Sequence, residues 1–274
     1  MILTESGNPA NEQNNKDLNV HDGYEPCIHE RGCSKKEGGS PDIVYEDMQA
    51  SFEQSGLLSA NIGLISKTVD GENITYGEFG SGVIFEKTDD AYYALTAAHV
   101  VANDKAQLLV FTVNTRMENE DIPGLDNMNV LKPEVYDTMY KAETVFVSDR
   151  DDLAVIRFAC DEDLSVVEIA ENDPAIDDRI MCIGNPQNDW FAVSYGKITS
   201  GIENFGEFTG FVSHAMKHSA YMHVGSSGGA ALNEQMKLAG ITPGGNFSAD
   251  GKDFKYGVMT PVSEINACLA EWNR

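Results

Sequence analysis

The chain has 274 residues, 42% of them apolar, enough to bury a sizeable core as one large all-β unit or two small domains. Nineteen Lys and Arg against 44 Asp and Glu give a formal charge of -25, which argues against nucleic acid and anionic membrane surfaces as partners and would attract a basic protein or peptide. No run of 18 apolar residues exists, the stretch from Met1 to Ser6 has neither a basic nor an apolar leader pattern, and five cysteines at irregular spacing suit a reducing compartment, so a cytoplasmic location is expected.

Residues 1–50 are rich in Asn, Glu, Asp, Gly and Ser and hold few apolar side chains, so burial cannot offset their ordering entropy; they read as a flexible acidic and polar arm, with the folded domain over 51–274. Within the arm, Cys27, His29 and Cys33 could hold zinc only with a fourth ligand from elsewhere, and no second ligand pair is visible, so no metal is expected. From Ser59 short alternating apolar runs separated by turn residues predict antiparallel strands. Residues 60–66, 82–86 and 91–95 read as strands joined by turns at Asp70-Gly71 and Asp89-Asp90, with a further strand over 107–113. Met117 to Tyr140 interrupts the pattern as a long acidic surface loop. Strands resume from Lys141 to Phe158, and 160–178 reads as a connector to a second group at 179–183, 191–195, 211–214, 220–224, 238–241 and 255–259. A terminal helix is expected after Thr260 as N-cap and Pro261 at the first position, with Ile265, Leu269 and Trp272 on one apolar face.

Three positions in this framework carry chemistry. Ser227 lies in Tyr221-Met-His-Val-Gly-Ser-Ser-Gly-Gly-Ala-Ala231, where Gly225, Gly228 and Gly229 remove three Cβ atoms and let the backbone turn sharply. The N–H groups of Gly225 and Ser227 could then converge on one spot, as an oxyanion formed in acyl transfer requires. A glycine-rich hairpin turn is the plainer reading of the same string. His99 falls at the end of the 91–95 strand, where Thr96, Ala97 and Ala98 leave room around its ring. Period-2 alternation places Asp152 with Ala154, Ile156 and Phe158 on a core face and Asp151 with Arg157 on the other, which favours Asp152 as a buried carboxylate in need of an N–H donor.

The order of Ala94-Leu-Thr-Ala-Ala-His99, Asp151-Asp-Leu-Ala-Val155 and Gly225-Ser-Ser-Gly-Gly229 resembles that of trypsin-like, chymotrypsin-fold serine proteases, and among them the HtrA/Deg-type protease domain. Gly80-Ser-Gly82, Ile183-Gly-Asn-Pro186 and Tyr256 to Pro261 are similar landmarks, and the resemblance covers about residues 56–270. It implies an all-β fold of two six-stranded antiparallel β-barrels, about 56–158 and 178–262, with a short C-terminal helix. It implies a serine endopeptidase acting on a protein or peptide without a cofactor, with His99 as general base, Asp152 orienting it, Ser227 as nucleophile, and the Gly225 and Ser227 amides as oxyanion hole. By the same resemblance Tyr221 lies at the floor of the substrate pocket and Gly240, Ile241, Thr242 and Gly257 along its walls; no Asp stands at that floor, so an apolar residue of modest size is expected before the scissile bond. Ser226 replaces the Asp that pairs with a new N-terminus in zymogen-type relatives, so cleavage in the arm is not the expected control; the chain is expected to be active as made or to have its loop ordered by an activating protein partner or by substrate. No PDZ-like module follows the helix here, so regulation through one is not expected. A degenerate protease fold that only holds a partner, and an adaptor acting through the Cys27/His29/Cys33 group, are the other function classes the residues allow.

Overall fold

A computed structural model describes residues 2–4, 44–118, 133–148, 150–186, 190–205, 214–249, 251 and 253–273. Cys27, His29, Cys33 and most of the arm lie outside the described residues. The first barrel is built from β2 (Asn61–Asp70), β3 (Asn73–Lys87), β4 (Tyr92–Thr96), β5 (Gln107–Phe111), β6 (Tyr140–Ser148) and β7 (Leu153–Phe158), closed in the order β2-β3-β4-β7-β6-β5. The β2–β3 hairpin turns where Gly71 takes φ 60°, a torsion that favours glycine. Gly63 in β2 leaves the space that the Phe111 ring fills; a Cβ there would lie 1.7 Å from its Cζ. After Phe111 the predicted strand stops and a helix, α2 (Val113–Glu118), begins; the expected acidic loop contains α3 (Pro133–Asp137).

The second group comprises β8 (Arg179–Gly184), β9 (Ala192–Lys197), β10 (Glu203–Asn204), β11 (His214–His218), β12 (Gly229–Leu232), β13 (Leu238–Phe247) and β14 (Phe254–Pro261). Its six main strands run β11-β14-β13-β12-β8-β9, with β10 added outside β11. An isolated bridge between Ile198 and His218 joins the two ends. There the Thr199 and Ser219 N–H groups donate to the Lys217 and Lys197 carbonyls, so this sheet too curls on itself. The stretch 220–224, expected as a strand, is instead part of the loop that carries Ser227 from β11 to β12. Its alternation of Ala220 and Met222 with Tyr221 and His223 reflects a half-buried loop, because no neighbouring strand offers it a ladder.

Each barrel has its own apolar interior, and a third cluster lies between them. Val83, Leu95, Leu153 and Val155 of the first barrel meet Met181, Ile183, Leu232, Leu238 and Ile241 of the second. Two helices cap this shared core. The C-terminal helix α4 (Val262–Trp272) places Ile265, Leu269 and Trp272 on it, as the spacing predicts. Its N-cap is Pro261, while Thr260 remains in β14. The helix α1 (Glu46–Ser55) inserts Met48 and Phe52 into the same cluster and ends at Gly56 in the left-handed region, φ 69°. The boundary expected after residue 50 therefore falls inside a helix that belongs to the core. Only two large apolar residues, four apart among polar and charged neighbours, mark that helix in the sequence. Before it, β1 (Ile2–Thr4) lies parallel along β13, pairing Ile2 with Gly245 and Thr4 with Phe247.

Candidate active site

His99 sits in a single 3-10 turn, Ala98–Val101, immediately after β4. Asp152 precedes β7 and takes φ 49°, a left-handed torsion that costs a non-glycine residue energy unless its surroundings hold it. They do: the Asp152 carbonyl accepts the Ala98 N–H at 3.1 Å, and its carboxylate accepts the His99 backbone N–H at 2.9 Å and contacts His99 Nδ1 at 2.8 Å. A neutral imidazole that donates from Nδ1 to this carboxylate leaves Nε2 as its acceptor.

Asp152 is thus the carboxylate that meets the imidazole, but the alternation argument that selected it does not describe the site. Asp151 is fully buried as well, because the left-handed turn at Asp152 breaks the strand periodicity just before β7. Its carboxylate accepts the Ser148 hydroxyl and both arms of the Arg150 guanidinium fork, at 2.8 to 3.0 Å. Its carbonyl accepts the Thr260 hydroxyl of β14 at 3.3 Å, so the second barrel reaches the residue before Asp152. Glu264 lies close by, and burial, together with the Asp151 charge, holds its carboxyl above the usual range.

Ser227 is 3% exposed and sits in a loop whose torsions depend on glycine. The Ser226 N–H donates to the His223 carbonyl at 3.0 Å across a four-residue turn, with Gly225 at its third position at φ 97°. A positive φ there defines a type II turn and fixes the orientation of the Val224–Gly225 peptide; a type I turn would flip it over. Gly228 takes φ 85°, and a Cβ on it would lie 2.2 Å from both the Ser81 carbonyl oxygen and Thr96 Oγ1. Ser81 ties this loop to the first barrel. Its N–H donates to the Ser227 carbonyl and its hydroxyl to the Gly225 carbonyl, both at 2.8 Å. The same hydroxyl accepts the Asn185 N–H and side-chain amide, and the Thr96 hydroxyl donates to the Ser81 carbonyl at 2.7 Å. The Ser227 hydroxyl itself donates to the Pro243 carbonyl at 3.0 Å. Ser81 and Asn185 were visible beforehand only as parts of the glycine-flanked landmarks Gly80-Ser-Gly82 and Gly184-Asn-Pro186.

Bonds from Ser81 to the Gly225 and Ser227 carbonyls and from Thr260 to the Asp151 carbonyl cross the barrel junction, while Asp152 holds His99 from within the first barrel. A family model described as a trypsin-like peptidase domain matches residues 80–241, more than half of the chain. The chain belongs to that family.

Among its relatives, this chain is 27% identical over 208 residues to "Serine protease HtrA-like" of Staphylococcus aureus strain USA300. It is 26% identical over the same length to the protein of that name in strain MRSA252. Each alignment covers 71% of this chain and 23% of the relative, so the chain spans about a quarter of the length of the curated relatives it matches. The likeness supports an HtrA-type protease domain of the trypsin-like class.

The residues assigned to a substrate pocket do not stay together. Tyr221 and Thr242 line a cavity of about 30 Å³ with Gly184, Ser194, Met222 and Ser226. Ile241 is buried in the core between the barrels. Gly240 packs on Met259 and the Thr260 carbonyl, and a Cβ on Gly257 would enter the His218 imidazole at 2.1 Å. The flanks that align these glycines with the family do not encode which side of the sheet they face. Rings gather instead beside Tyr221: Phe254 at 5.3 Å from it, Phe247 at 5.6 Å from Phe254, and His223 at 5.4 Å from Phe247. A larger concavity of about 560 Å³, lined by Lys87–Tyr92, Tyr140 and Ala159–Asp163, contains none of the site residues. Among the described residues no helix is long and apolar enough to cross a membrane.

Proposed function

We propose that this trypsin-like peptidase is a serine endopeptidase working through Ser227, His99 and Asp152. The observation that carries the reading is the two-point hold of the Asp152 carboxylate on His99, which leaves Nε2 as the acceptor nitrogen. In the proposed reaction Nε2 takes the Ser227 proton as Oγ attacks a peptide carbonyl, and Asp152 stabilises the imidazolium. The proton passes to the leaving amine as the C–N bond breaks. Water then repeats the sequence on the acyl-enzyme and regenerates Ser227. The Gly225 and Ser227 amides would hold the oxyanion, a role supported by the type II turn at Gly225. The hydrogen bond from Ser227 to Pro243 must open first; a neutral bond of this kind is worth about 1 kcal/mol net, too little to block the reaction.

Tyr221 and the rings beside it, with no carboxylate among the described residues that line the small cavity, favour an apolar residue before the scissile bond over Lys or Arg. The charge of -25 favours basic protein substrates or partners elsewhere along the binding surface. The test is labelling with a fluorophosphonate probe. The chain should label at Ser227 and lose all labelling in Ser227→Ala. A folded chain that does not label would leave the binding-module reading in its place.

A further inference from the structure

Ser227 is the second residue of a four-residue turn, 226–229, closed by the Gly229 N–H on the Ser226 carbonyl at 3.0 Å, with Gly228 at its third position at φ 85°. The hydroxyl of Thr242 in β13 reaches both ends of that turn. It lies 3.1 Å from the Ser226 carbonyl oxygen and 3.1 Å from that of Gly229, and its single proton is shared between the two. Thr242 is 1% exposed, and its own carbonyl accepts the Gly228 N–H at 2.8 Å, so these bonds are made out of reach of water. The turn has little room to shift. A Cβ on Gly184 would lie 3.0 Å from Ser226 Cα, and one on Gly229 would lie 2.2 Å from the Ile183 carbonyl oxygen.

The Ser226 carbonyl belongs to the same planar peptide as the Ser227 N–H, and the two point in opposite directions. Holding one therefore aims the other. Two donors on the carbonyl oxygen, the Gly229 N–H and the Thr242 hydroxyl, also polarise the peptide and strengthen its N–H as a donor.

We propose that Thr242 is a positioning residue for the oxyanion hole, whose hydroxyl holds the Ser226–Ser227 peptide with its N–H turned to the developing oxyanion. This rests on the peptidase reading above. It gives the two amides separate supports: the torsion of a glycine for Val224–Gly225, and a side chain 16 residues further on for Ser226–Ser227. Thr242 also lines the small cavity beside Tyr221, where a residue that only shaped a substrate pocket would stand. The two roles separate in kinetics: a pocket wall changes KM and the preference for the side chain before the scissile bond, whereas a support for an oxyanion donor changes kcat.

The test compares the parent chain with Thr242→Val, which keeps the shape and loses the hydroxyl, and with Thr242→Ser, which keeps the hydroxyl and loses the methyl. In Thr242→Val, kcat for a peptide with an apolar residue before the scissile bond should fall about tenfold while KM stays within about twofold. A fluorophosphonate, whose phosphoryl oxygen takes the place of the oxyanion, should label Ser227 about tenfold more slowly. Thr242→Ser should recover most of both losses, and the three chains should melt within a few degrees of one another; Thr242→Ala repeats the comparison if valine shifts the melt. Parent-level labelling and kcat in a folded chain without the hydroxyl would overturn the proposal, as would a loss that serine does not recover or a change confined to KM and side-chain preference. A folded parent chain that does not label would overturn the peptidase reading and this role with it, a result distinct from any difference among variants of a chain that labels.

Discussion

The carboxylate of Asp152 grips His99 at two points, one oxygen 2.8 Å from ring Nδ1 and the other 2.9 Å from the backbone N–H. An amide in its place has one acceptor, and the backbone N–H claims it, so the NH2 group faces Nδ1. Asp152→Asn is therefore expected to move the ring proton to Nε2 and to lower kcat by about 10⁴ while the melting temperature changes little. Steady-state kinetics and a thermal melt on the same sample check both halves.

The turn at Gly225 gives a second expectation. Gly225→Ala must either hold an L-residue at φ 97°, costing about 1–2 kcal/mol, or flip the Val224–Gly225 peptide. Flipping removes one oxyanion donor, so kcat should drop 10²- to 10³-fold with KM nearly unchanged. A variant of wild-type kcat would show that this amide does not face the reacting carbonyl.

His218 should make the fold sensitive to acid. Its imidazole is fully buried in β11, and among the described residues neither ring nitrogen has a partner in good hydrogen-bond geometry, only backbone groups of Val258 and Ala220 nearby. Burial pushes its pKa down to about 4 from an ordinary 6.5, with the backbone near Val258 and Ala220 offsetting a little of the shift. Above pH 6.5 both folded and unfolded chains carry it neutral, and it contributes nothing to pH dependence. Between 6.5 and 4 the unfolded chain binds the proton preferentially, so stability falls as pH falls, by roughly 3 kcal/mol in all. Denaturant titrations at pH 7 and pH 4.5 should show this loss, and His218→Asn should remove that part of it.

Local pattern made much of this legible and left the rest hidden for definite reasons. The barrel strands follow from alternation and turn residues, and flanks of small residues and glycine single out His99, Asp152 and Ser227 as candidates. Asp151 was misplaced because alternation assumes a regular strand, and the left-handed torsion at Asp152 breaks it. Gly240 and Gly257 keep their places in the sequence but face Met259 and His218, a matter of which side of a sheet a residue turns to. Ser81, Asn185, Thr260 and Pro243 act through partners more than ten residues away, which no local spacing displays.

Truncation separates the arm from α1. A chain starting at residue 44 should melt close to the full-length protein. One starting at residue 51 loses Met48 and most of the helix that seats Phe52, both in the shared core. Buried side chains of this size are worth about 2–5 kcal/mol each, so losing the hold of both should lower its melting temperature by roughly 10–30 °C. Equal melting temperatures for the two would show that α1 is not part of the stable unit.

Ser81 has a consequence for synthesis. It stands 144 residues before the Gly225 carbonyl that its hydroxyl holds, whereas the Thr96 hydroxyl that binds its own carbonyl is 15 residues away. The first barrel, with His99 and Asp152 in place, can assemble as soon as β7 has left the ribosome, because domains fold as units during translation. The serine loop can take its left-handed torsions only after the second barrel has brought Gly225 and Ser227 to Ser81, a contact of long sequence separation that forms late. A nascent chain therefore holds His99 and Asp152 together for a time without the cradle around Ser227, and the reaction proposed above could begin only when the two halves dock.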